Sequence, residues 1–130
     1  MRFRAYIENA GIKVWLDDDR DPENPTIQET FPIAKAGPWT WVKTAPEAIE
    51  LLQTGNVTYI SLDHDLGDSP GVGDGSQVVR FIQGGAMDGS LPELDYDVHS
   101  KNSDGSASME LGMGVAKQLW AGTHHSQQQR

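Results

Sequence analysis

The chain contains no cysteine, which excludes disulfides, thiolate metal sites and a cysteine nucleophile. No apolar run approaches the roughly 18 residues that span a bilayer, and the opening MRFRAYIENAG lacks the apolar core of a secretion signal. The expectation is a soluble, cytoplasmic protein with no membrane contact. Basic residues are scarce: ten Lys and Arg stand against nineteen Asp and Glu, for a net charge of −9, and the ten are scattered. Extended nucleic-acid binding, which needs a basic stripe along the phosphate backbone, is therefore disfavoured. Phosphate recognition through a divalent cation remains open, because carboxylates can hold the metal and the metal the anion.

A length of 130 residues fits one domain. Apolar content is low at 37%, and 14 glycines with 7 prolines assign much of the length to loops. The expected organisation is a leader or edge strand over 1–10, an α/β domain over 11–120 and a disordered polar tail over 121–130.

Within the domain, Ile12 to Leu16 reads as a strand that ends abruptly in Asp17-Asp18-Asp19-Arg20-Asp21-Pro22. Four prolines between 21 and 38 indicate a loop with a short irregular helix near Ile27 to Phe31. WTWVKT at 39–44 reads as a second strand, with Trp39 and Trp41 on one face. Thr44-Ala45-Pro46-Glu47 is a capping box, and Ala45, Ala48, Ile49 and Leu52 form the apolar face of a helix ending near Gly55. Val57 to Leu62 is a third strand, ending in Asp63-His64-Asp65. Asp74 with Gln77 caps a second helix expected to stop at Gly84-Gly85, Leu94 to Val98 is a fourth strand, and a last helix runs from about Asp104 to Trp120.

Strands alternating with helices indicate an α/β layer fold with a mostly parallel sheet, whose functional crevice lies beyond the carboxyl ends of the strands. Three strand ends carry reactive groups: Asp17-Asp18, Asp63-His64-Asp65, and His99-Ser100 with Asn102.

The combination of LDDDRDP, WTWVKTAPEAIELL, ISLDHDLG and HSKNSDG followed by Met109 resembles the cyclic-phosphate-processing receiver-like domains, a divergent branch of the response-regulator receiver fold, over about residues 11–120. The resemblance implies a flavodoxin-like, three-layer fold with a sheet of about four to five strands. It places Asp17 and Asp18 at the receiver acidic pair and Asp63 at the phosphoacceptor position. It also implies the processing of a 2′,3′-cyclic phosphate on a nucleotide or RNA end. One helix follows the fourth strand, so the strand bearing the receiver's charge-pairing lysine is missing and phosphorelay signalling is disfavoured. Lys101 reads as a loop residue, not as its substitute.

Opening a cyclic phosphodiester requires a base, an acid, and donors for the phosphate oxygens. His64 and His99 are the expected acid–base pair, facing each other across a phosphate, with Asp63 as a third catalytic candidate. Asp17, Asp18, Asp63 and Asp65 are the candidate ligands for Mg²⁺ or Mn²⁺, or alternatively orient an imidazole and raise its pKa. Ser100, Asn102, the backbone N–H near Gly105 and Arg20 are the candidate substrate contacts, although Arg20 equally suits pairing with its acidic neighbours and Asn102 shaping the turn. Two alternatives are a module that binds a nucleotide signal without turnover, and an acidic interaction or inhibitor protein that engages a basic partner.

Overall fold

The computed structural model of the protein describes residues 11–128; the leader or edge strand expected over 1–10 lies outside them. Four parallel strands, β1 (Ile12–Leu16), β2 (Thr40–Val42), β3 (Val57–Leu62) and β4 (Asp95–Val98), pair in the order β2-β1-β3-β4. The chain order reverses between β1 and β3, which opens a crevice at their carboxyl ends.

The helices are α1 (Pro25–Thr30), α2 (Ala45–Gln53), α3 (Gly75–Asp88) and α4 (Ser103–Gln128), with a 3-10 turn over Pro32–Ala36. Thr44 caps α2 by accepting the Glu47 N–H at 3.2 Å, and the Glu47 carboxylate accepts the Lys43 N–H, also at 3.2 Å. Asp74 caps α3 through the Gln77 N–H. The expected stop of α3 at Gly84-Gly85 is not observed. The helix continues to Asp88 and closes at Gly89, which takes the left-handed conformation (φ 79°). Gly85 serves packing instead: a side chain there would run into Leu91. The backbone of α4 extends to Gln128, into the segment read as a tail.

The two sheet faces differ in kind. Val14 and Leu16, Val42, and Ile60 and Leu62 face α2, α3 and α4, and with Leu52, Val78, Ile82, Met109 and Met113 they form the buried core. The alternate residues Trp15, Ser61 and Asp97 fall on the opposite face, in register with one another. That face is covered by Phe31, Trp39 and the 3-10 turn, tied down by Trp39 donating to the Ala34 carbonyl at 2.9 Å and Lys13 to that of Ala36.

Candidate functional site

Leu16, Leu62 and Val98 stand in one row across β1, β3 and β4. The next residue of each strand is therefore Asp17, Asp63 or His99, and pleating turns all three to the face opposite the main core. Asp17 is fully buried and Asp63 nearly so. Oδ1 of Asp17 accepts the backbone N–H groups of Asp19 and Arg20, each at 2.9 Å, so its own side chain builds the sharp turn after β1. Its Oδ2 accepts from Arg20 at 3.2 Å and from Nε2 of His99 at 3.0 Å. Burial opposes ionisation of Asp17, but these donors outweigh it and hold its pKa below the usual value.

Asp63 lies in the reverse balance. Burial and the neighbouring Asp17 charge push its pKa up to about 6, against the pull of Arg20, 3.6 Å away, and a hydrogen bond from Ser100. Asp17, Asp18 and Asp63 each offer a carboxylate oxygen within 4.8 Å of the others. Three hard oxygen donors, one of them destabilised as an anion by burial and the neighbouring Asp17 charge, could hold a metal ion.

The three carboxylates border a cavity of about 360 Å³ together with Arg20, Asp65, Ser100, Lys101 and Asn102. Residues from β1, β3 and β4 thus converge as the strand ends suggested. Arg20 pairs with Asp17 and stands within reach of Asp63 while still facing the cavity. Lys101, read as a loop residue and not as a substitute for the receiver lysine, also borders it; no periodicity assigns a direction to a side chain in a loop. Asn102 caps α4, its Oδ1 accepting the Gly105 N–H at 2.8 Å, and its Nδ2 donates to Asp65 at 3.2 Å. The Gly105 N–H is thereby taken by a cap and is not the open anion donor expected.

The histidines depart from the expected pair. His99 is 2% exposed, and its ring stacks on Trp15 with centroids 3.7 Å apart. Because an ionised carboxylate only accepts, the proton shared with Asp17 belongs to Nε2 of His99. Burial lowers the pKa of His99, favouring the neutral ring, so Nδ1 accepts from the Ser61 hydroxyl at 2.7 Å. The longer 3.4 Å approach of that hydroxyl to Asp97 competes for the same proton. The small Ser61 side chain is what lets the imidazole cross β3 from β4 to reach Asp17. His64 has different neighbours: its Nδ1 lies 2.8 Å from Asp65, and its ring packs so closely on Gly105 that a Cβ there would sit 2.5 Å from Cγ. Neither imidazole borders the cavity, so the two do not face each other across it. The strand-end positions of both were legible; the bend of His99 beneath the sheet depends on Ser61 and the cover from Phe31, which no motif announces.

The cyclic-phosphate processing receiver domain matches this sequence over residues 12–114. The chain belongs to that family. No curated protein and no solved structure matches it. Membership of the cyclic-phosphate processing receiver domains accords with the four-stranded parallel sheet and its helices. Among the described residues no helix is long and apolar enough to cross a membrane.

Proposed function

We propose that this receiver domain hydrolyses a 2′,3′-cyclic phosphate on a nucleotide or RNA end in the cavity beyond β1, β3 and β4. The observation that carries the reading is one cavity bordered by Asp17, Asp18 and Asp63 on one side and by Arg20, Ser100, Lys101 and Asn102 on the other. Asp17, Asp18 and Asp63 would hold Mg²⁺ or Mn²⁺, with Asp65 at the rim. Such an ion supplies Lewis-acid polarisation of the phosphoryl group and offsets its charge.

Arg20 and Lys101 bind the non-bridging oxygens, the Ser100 hydroxyl donates to Asp63, and the Asn102 amide orients Asp65. Asp65 accepts the proton on Nδ1 of His64, which holds that carboxylate at the rim of the cavity. Asp65, which borders the cavity, takes a proton from water as the water oxygen bonds to phosphorus, and His64 is a positioning residue behind it. The bond from phosphorus to one ribose oxygen breaks, and that oxygen takes a proton from solvent in the open cavity. His99 is a positioning residue: it acts through Asp17, having both ring nitrogens engaged.

Purified protein with 2′,3′-cyclic nucleotides and divalent ions tests the reading. Asp65→Asn is expected to lose turnover by about 10²-fold or more, as a displaced acid–base group does, and His64→Ala to lose less. Equal turnover in wild type, His64→Ala and His99→Ala would remove the histidines from the reaction. The withdrawal of His99 favours one second reading, a nucleotide-binding module without turnover, which predicts ligand-dependent thermal stabilisation and no product.

A further inference from the structure

We propose that a second cavity beside the first is a nucleobase subsite, selective for guanine through Asp97. The inference rests on the first cavity being the cyclic-phosphate site, and it specifies which nucleotide that site takes.

The second cavity measures about 240 Å³; its walls include Phe31, Pro32, Ile33 and Val98, with the carboxylate of Asp97 and the edge of His99. The two cavities are bounded by consecutive stretches of one strand end: Asp97, Val98 and His99 border this one, and Ser100, Lys101 and Asn102 the first. They also share a wall. Arg20 of the first lies over the ring of Phe31 of the second, 5.2 Å from its centroid, and His99 reaches from the second to Asp17 of the first. A nucleotide with its phosphate against Arg20 can lay its ribose over the Arg20–Phe31 pair and its base along Phe31 towards Asp97. Phosphate at a polar end and an aromatic wall at the other is the usual division of labour in nucleotide sites.

Asp97 decides which base. It is the carboxylate of a lining whose other polar side chains are Thr30 and His99, and its one side-chain contact, with Ser61 at 3.4 Å, competes with the shorter bond from Ser61 to His99. A carboxylate offers two acceptors and no donor. Guanine alone among the four bases presents two adjacent donors, its ring N–H and its exocyclic amine; adenine and cytosine set one amine beside an acceptor, and uracil sets one N–H between two carbonyls. A half-buried carboxylate therefore accepts guanine with both oxygens and is left partly unpaired by the others.

The test measures binding and turnover of the four ribonucleoside 2′,3′-cyclic phosphates, and of the inosine analogue, with Mg²⁺ present. The expected result is a preference for guanosine of roughly tenfold or more, the effect of one hydrogen bond to a charged group, with inosine weakened because it lacks the amine. Asp97→Asn, which replaces one acceptor by a donor, brings the guanosine value down to that of the other bases. The inosine comparison uses the wild-type protein and so holds even if that variant fails to fold. Equal binding of all bases, or a guanosine preference that survives Asp97→Asn, overturns the subsite. A guanosine preference in binding without product upholds the subsite while removing the hydrolytic reading; turnover indifferent to the base does the opposite.

Discussion

His99 donates its Nε2 proton to Oδ2 of Asp17 across 3.0 Å, although β3 separates the strands that carry them. The bond ties the end of β4 to the end of β1 beneath the cavity floor and fixes one carboxylate of the acidic cluster. His99→Ala removes a stacked ring from a closed site and one of the donors that stabilise the buried Asp17 anion. The expected loss is about 2–4 kcal/mol, read by urea denaturation, with weaker Mg²⁺ binding in the folded variant.

Asp63 makes stability depend on pH in a direction unusual for a carboxylate. Its pKa is about 6 when folded and 3.8 ordinarily, so its contribution is fully present below 3.8 and is lost as pH rises through 6. At pH 7 ionised Asp63 costs up to about 3 kcal/mol. Asp63→Asn carries no such cost and should be more stable than wild type at pH 7, the gap closing towards pH 4. Asp17, with its lowered pKa, works the other way in both proteins, contributing above its ordinary value and losing that contribution on acidification.

A bound cation should reverse that relation. Mg²⁺ or Mn²⁺ held by Asp17, Asp18 and Asp63 stabilises wild type by about 2.7 kcal/mol at a concentration a hundred times Kd. Differential scanning fluorimetry should show a rise in Tm for wild type and little for Asp18→Asn or Asp63→Asn. Ca²⁺, with its larger shell, is expected to act less than Mg²⁺ at so few donors.

Two glycines of α4 should respond oppositely to alanine. A Cβ at Gly105 strikes the His64 ring, whereas one at Gly114 meets nothing within 4 Å. Gly114→Ala is expected to raise stability by about 0.5–1 kcal/mol through helix propensity. Gly105→Ala displaces His64, and its signature is an altered His64 imidazole resonance with the fold retained.

Local rules made much of the fold legible before any coordinates. Thr44, Pro46 and Glu47 announce α2, Asp74 announces α3, and the abrupt change from Leu16 to Asp17 and from Leu62 to Asp63 marks the rim of the crevice. Gly85 misled because a helix interior tolerates glycine where a neighbour such as Leu91 comes close. His99 was placed at the right strand end but not in its true surroundings. Its side follows from the pleat, since Val98 faces the core, but its reach to Asp17 depends on the smallness of Ser61 on another strand. Lys101 shows the limit in loops, where a side chain's direction is set by tertiary contacts alone.

The most direct test of a cation-organised cyclic-phosphate site is ³¹P NMR of a ribonucleoside 2′,3′-cyclic phosphate incubated with the protein. The expected result is conversion of the cyclic-phosphate resonance to that of a monoester with Mg²⁺ or Mn²⁺, abolished by EDTA and by Asp18→Asn. An unchanged cyclic-phosphate resonance with every divalent ion, or conversion that EDTA and Asp18→Asn leave intact, would contradict it.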